Sequence, residues 1–153
     1  MVLGAELVPF SPLNHKSLPE NIDRIIIGGG YPELYTKKFS NNTSMLESIK
    51  NAYNSNIAIY AESGGYMYLG STIEGKDMVN IFDYKSELTS RLQNFGYIKL
   101  VANKDNMLCK KEESINAHEF HYSKSDFDGD DFTAIKKSTG KERKCIIAND
   151  NVF

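Results

Sequence analysis

The sequence predicts an α/β fold with a parallel sheet in its first half and a more β-rich second half. Three observations carry this expectation. Two short apolar runs, "IDRIIIGGG" (Ile22–Gly30) and "IAIYAESGG" (Ile57–Gly65), each end in glycine. Between them Met45, Leu46, Ile49, Ala52 and Tyr53 form one apolar stripe at helical spacing. From Gly96 onward the pattern changes to short segments of alternating character.

Taken in order, Ala5–Phe10 is a short apolar segment that ends in the proline-marked turn "SPLNHKSLP", where His15 is expected in solvent. Ile25, Ile26 and Ile27, stopped by three glycines, read as a strand buried on both faces, as in a parallel sheet. "YPELYTKKFS" follows as a loop or short helix. Ser44 and Glu47 have capping-box spacing at the head of the amphipathic helix. Asn54–Asn56 makes the exit turn, and Ile57–Ala61 is the second strand. It reaches the corner "AESGG" (Ala61–Gly65), after which a helix begins just past Ser63. This is β-α-β organisation with two glycine-rich turns at strand C-termini. Ligand sites in open parallel sheets lie just beyond those ends, so both turns are expected on one edge. In the second half "GYIKLVA" (Gly96–Ala102), "FHYS" and "TAIKK" read as short strands and "FDGDDF" as a polar turn. No repeat, low-complexity tract or linker divides residues 1–153, so one domain is expected.

Composition excludes several classes. Of 153 residues, 25% are charged and 41% hydrophobic, close to the globular average. A net charge of −2 gives no footprint for nucleic acid or an anionic membrane. No apolar run approaches the roughly 20 residues that span a bilayer. "MVLGAELVPF" lacks the basic and long apolar regions of a signal peptide. Cys109 and Cys145 lie far apart without metal-ligand spacing, so reduced thiols, a cytoplasmic location and no metal site are expected.

Three stretches are candidates for chemistry. Ser63, between Glu62 and Gly64-Gly65, admits two readings. It is a nucleophile on a strained strand-to-helix turn, with helix N–H groups ready for an oxyanion, or it is an ordinary helix N-cap. Gly28, Gly29 and Gly30 offer N–H groups to a carbonyl or carboxylate, or form a tight turn with no ligand. Their spacing matches no nucleotide phosphate loop. In "AHEFHYS", His118 and His121 flank Glu119 but fall one residue short of a zinc-binding H-E-x-x-H. On a strand they would point to opposite faces. Each is a structural histidine or a general base for Ser63.

The string "FSPLNHKSLPENIDRIIIGGGYPELYTKKFSNNTSMLESI", followed by "IYAESGGYMYLG" and "HEFHYS", resembles the glutaminase domain of the cobyrinic acid a,c-diamide synthase family. Relatives act on hydrogenobyrinic acid or nickel-sirohydrochlorin. The resemblance covers nearly the whole chain in order. It implies a class I glutamine amidotransferase-like fold, a three-layer α/β sandwich with a mostly parallel sheet. It also implies hydrolysis of glutamine and transfer of ammonia to an ATP-dependent synthetase domain or subunit, which amidates corrinoid carboxylates in cobalamin biosynthesis. ATP and Mg²⁺ are expected in that partner and no cofactor in this domain. The corrinoid is expected to be reached only through the partner. Ser63 matches the family's nucleophilic cysteine, with Glu62 beside it. Gly28–Gly30, Gly64 and Gly65 match the oxyanion and glutamine-binding turns, and His118, Glu119 and His121 the supporting segment.

Three departures shape the expectation. Serine replaces cysteine, which lowers nucleophilicity in a site built for a thiolate. The family's catalytic histidine lies in a "SYxHLHF"-like ending, which would begin where this sequence stops. The synthetase domain and the glutaminase domain's own first strand are not in the sequence. The resemblance therefore implies a glutaminase portion that is inactive alone and prone to associate through an uncovered sheet edge. Two alternatives stand beside it: a non-catalytic docking domain of an ammonia-dependent synthetase, and a serine hydrolase using Ser63 with His118 or His121.

Overall fold

A computed structural model describes residues 4–153. Strand β1 (Arg24–Ile27) is followed by a short 3₁₀ turn (Pro32–Leu34) and by helices α1 (Thr36–Ser40) and α2 (Thr43–Asn54). Then come β2 (Ala58–Ala61), α3 (Gly64–Leu69) and the hairpin β3 (Thr72–Ile73) and β4 (Lys76–Asp77). The second half holds β5 (Lys85–Leu88), β6 (Asn94–Ala102), β7 (Ser114–His121), β8 (Ser123–Ser125), β9 (Phe132–Lys136) and β10 (Glu142–Cys145).

The α/β half is parallel, as its sequence predicts. β1 pairs with β2 in register, Ile25 opposite Ile59 and Ile27 opposite Ala61. The far side of β2 is taken by residues 151–153. The Ile59 N–H donates to the Asn151 carbonyl at 2.9 Å, and the Phe153 N–H donates to the Ile59 carbonyl at 2.9 Å. The Ala61 N–H donates to the Phe153 carbonyl at 2.7 Å, so this segment runs parallel to β2. β2 is thus the central strand of the parallel part. The sheets as a whole are mixed. An antiparallel sheet in the order β10-β9-β6-β7 makes up most of the second half, and a small one runs β4-β3-β5-β8.

Two apolar clusters hold the halves. Met45 and Ile49 of α2 pack with Ile25, Ile59, Tyr68 and Val152. Met45, Ile49 and Ile59 are completely buried, and each contributes about 1.5–3 kcal/mol by leaving water. The α2 stripe read from spacing is the face that does this. The second cluster is smaller and centres on Ile98, Leu100, Phe132 and Cys145.

Two local expectations are corrected. β1 is not buried on both faces: Ile25 is buried, but Ile26 is 66% exposed. The capping box at Ser44 and Glu47 does not form, because the helix starts one residue earlier, at Thr43, with Asn42 at the N-cap. Asn42 makes no side-chain cap; its amide donates to the carbonyls of Pro12 and His15, both at 2.8 Å. Tying down the proline-marked turn has displaced capping there. Ala5–Phe10 lies outside any helix or strand.

Candidate active site

The two glycine-rich turns meet at the C-terminal ends of β1 and β2, on one edge as expected. The Glu62 N–H donates to the Ile27 carbonyl at 3.1 Å, which carries the pairing one residue past β2. The chain then turns sharply at Ser63, with φ 54° and ψ −116°. A side chain rarely adopts positive φ, at a cost of about 1–3 kcal/mol, and such residues cluster at functional sites. The Ser63 hydroxyl makes no capping bond to α3. The simple N-cap reading therefore fails, and the strained-corner reading fits.

Glycine is required around this corner for steric reasons. A Cβ on Gly65 would fall on the Ile27 carbonyl oxygen. A Cβ on Gly64 would lie 2.8 Å from the Pro32 ring and 3.0 Å from the Gly30 carbonyl oxygen. The first turn of α3 is thus pressed against both β1 and the Gly28–Gly30 loop. A Cβ on Gly29 would lie 3.5 Å from the Ser63 hydroxyl oxygen, so Gly29 is the loop residue beside the candidate nucleophile. The Gly65 N–H donates to the Glu62 carbonyl at 2.9 Å. Gly65 is therefore held by packing against β1 and by this backbone bond. The Glu62 side chain accepts a hydrogen bond from the Tyr60 hydroxyl at 2.9 Å. Burial, then the Glu62 carboxylate, raises the Tyr60 pKa. Tyr60 in turn stacks on Phe153, ring centroids 5.7 Å apart.

Ser63 opens into a pocket of about 460 Å³ that also reaches Glu119, His121, Asp128 and Arg143. The antiparallel sheet supplies the opposite wall. Along β7 exposed and sheltered residues alternate, and Glu119 and His121 share the sheltered face. His118 is on the other face, edge-on to the rings of Phe95 and Tyr97. The opposite-face expectation for the two histidines holds. The His121 Nδ1 donates to the Ser123 carbonyl at 2.7 Å, which leaves Nε2 as acceptor for the Asn94 amide at 3.4 Å. Neither histidine bonds Ser63, although both border its pocket. Glu119 is ion-paired with Arg143. Burial raises the Asp128 carboxyl, an effect partly offset by His121. Burial also pushes the Cys145 thiol up, so it stays protonated. Among the described residues no cluster of three candidate metal ligands occurs, and no helix is long and apolar enough to cross a membrane.

Asn94, Asp128 and Arg143 did not stand out in the sequence. Each comes from a different segment, and only strand alternation in β6 and β10 hints that Asn94 and Arg143 face inward. Gly28–Gly30 also border a second cavity of about 390 Å³, with Tyr31, Leu34 and Phe39.

A family profile described as the CobB/CobQ-like glutamine amidotransferase domain matches residues 2–153. The cobyrinate a,c-diamide synthase of Caldanaerobacter subterraneus subsp. tengcongensis is 44% identical over 147 residues, which is 93% of this chain and 32% of that protein. That of Clostridium acetobutylicum is 42% identical over 152 residues, 97% of this chain and 35% of that protein. That of Methanosphaera stadtmanae is 46% identical over 126 residues, 82% of this chain and 28% of that protein. The chain thus spans about a third of the length of these curated relatives. Among solved structures, a glutamine amidotransferase crystal structure superposes with a TM-score of 0.53 at 12% identity, covering 87% of this chain and 68% of that one. That likeness is one of fold, and the fold is class I glutamine amidotransferase-like.

Proposed function

The chain belongs to the family of CobB/CobQ-like glutamine amidotransferase domains, and from that premise we propose that it is the glutamine-binding portion of a cobyrinate a,c-diamide synthase. In this reading glutamine enters the pocket with its carboxamide at position 63. An activated nucleophile there attacks the carboxamide carbon, and the developing oxyanion is held by the N–H groups of Gly29 and Gly64. Collapse expels ammonia, which takes up a proton on leaving, and water then releases glutamate from the acyl intermediate. Ammonia passes to a synthetase module, and ATP and Mg²⁺ belong to that module. The amidated acceptor is a corrinoid or a nickel-sirohydrochlorin, bound by the synthetase, and the setting is the cytoplasm.

The observation that carries the reading is the Ser63 corner itself: positive φ at a non-glycine residue, with Gly29 beside its hydroxyl. A second observation favours a chain that binds glutamine without turning it over. The hydroxyl has no basic partner among the described residues, and serine needs one where a cysteine thiolate does not. The Phe153 end of the segment beside β2 runs toward position 63, so a base carried just after it in a longer protein would arrive at the pocket. The test is ammonia release from glutamine by this chain and by Ser63→Cys, each alone and with the synthetase portion of a relative. Gain of release in Ser63→Cys with the partner supports the reading. No release from Ser63→Cys with the partner, together with no calorimetric binding of glutamine by either form, overturns it.

A further inference from the structure

The inner face of the antiparallel sheet is apolar along most of its length, lined by Ile98, Leu100, Phe132 and Ala134. One end differs. There Glu119 from β7 and Arg143 from β10 form an ion pair, although these strands are the two outer members of the sheet. The sheet curls enough for them to meet across its inner face. Both residues border the pocket that contains Ser63.

The pair is well sheltered, the Glu119 side chain 14% and the Arg143 side chain 31% exposed. Sheltered pairs add little stability compared with apolar packing, so stability does not explain its place on an apolar face. Space lies beside it as well. Gly96 is opposite Glu119 in register, and a Cβ there would meet nothing within 4 Å. Two other charged groups of the pocket are engaged: Lys124 pairs with Glu87 at 2.7 Å, and Glu62 bonds Tyr60.

We infer that the Glu119–Arg143 pair is the receptor for the zwitterionic end of glutamine. Arg143 takes the α-carboxylate and Glu119 takes the α-ammonium. A guanidinium fork matches a carboxylate in two parallel hydrogen bonds. A carboxylate beside it complements the neighbouring ammonium. Without ligand the two side chains neutralise each other; with ligand each exchanges part of that bond for an opposite charge on the amino acid. The carboxamide then points down the pocket to position 63. The pair thus selects an α-amino acid amide over a simple amide. It makes no chemical step, so both are binding and specificity residues. The inference rests on the glutamine reading above.

The test is calorimetric binding of three probes to the 153-residue chain: glutamine, glutaramate (lacking the α-amino group) and 4-aminobutanamide (lacking the α-carboxylate). The chain is expected to bind glutamine about tenfold or more tighter than either analogue. Arg143→Gln should erase the preference over 4-aminobutanamide. Glu119→Gln should erase the preference over glutaramate while leaving the other intact. Circular dichroism confirms folding, and Arg143→Lys, with charge but no fork, gives an intermediate ratio if Arg143→Gln unfolds. If the chain binds glutamine and the folded variants keep both ratios, the receptor assignment is overturned and the glutamine reading stands. If the chain binds none of the probes, both fall together.

Discussion

The two walls of the pocket are built by opposite means. The Ser63 wall is made of backbone: a strained corner and two glycine turns pressed together at the paired ends of β1 and β2. The facing wall is made of side chains: Glu119, His121 and Arg143, carried on strands whose backbones serve the sheet. The first wall has no room for added volume at Gly64 and Gly65, whereas the second is built around an ion pair with open space beside it at Gly96. In the proposed reading the backbone wall fixes the attacking atom and the side-chain wall chooses among ligands.

The largest effect expected from this contrast is on the backbone wall. Gly65→Ala places a methyl on the Ile27 carbonyl and should lower stability by about 3 kcal/mol, read by urea unfolding. A cost under about 1 kcal/mol would mean that the close approach of α3 to β1 is not real. On the side-chain wall Glu119→Gln keeps the shape and removes one charge from a sheltered pair, leaving Arg143 without its counter-ion. It should cost about 2 kcal/mol in the same assay, and a cost as large as that of Gly65→Ala would erase the distinction.

A smaller effect concerns Ile146, between β10 and the C-terminal segment. It has φ 66°, a left-handed conformation that a β-branched residue resists by about 1–2 kcal/mol. Ile146→Gly loses a partly buried side chain but releases that strain. The net cost should stay within about 1 kcal/mol, against about 2 kcal/mol or more for Ile98→Ala in the same cluster. Equal costs would count against a strained Ile146.

The smallest effect is a pH dependence. The folded Asp128 carboxyl is raised by burial, so the folded state holds this proton more tightly than the unfolded chain. Its contribution is unfavourable above the folded value and vanishes below the ordinary carboxylate value. Stability should therefore fall as pH rises from about 3.9 through the raised value. Asp128→Asn should flatten that fall in melting temperatures taken from acid to neutral pH. An unchanged slope would show that Asp128 is not the group responsible.

The same contrast explains what the sequence disclosed. The backbone wall was legible because close approach demands glycine, and glycines at strand ends form the contiguous strings "GGG" and "ESGG". The α2 stripe was legible because burial follows helical spacing. The side-chain wall was only half visible. Glu119 and His121 stood in a recognisable string, whereas Arg143 and Asn94 join them through strand pairing across long separations. The capping box at Ser44 misled because a tertiary demand on Asn42 outweighed a local preference. The β1 expectation misled because an apolar run shows the capacity for burial and not the presence of a neighbour on each face.

A diazoketone analogue of glutamine, which carries an electrophile in place of the carboxamide, asks whether position 63 is a nucleophile's corner facing a glutamine site. The measurement is intact-mass and peptide mapping of the Ser63→Cys chain after exposure to this reagent, with and without excess glutamine. One adduct is expected, at position 63, and glutamine should suppress it. Labelling at Cys109 or Cys145 instead, or labelling at position 63 that glutamine leaves unchanged, would contradict that assignment.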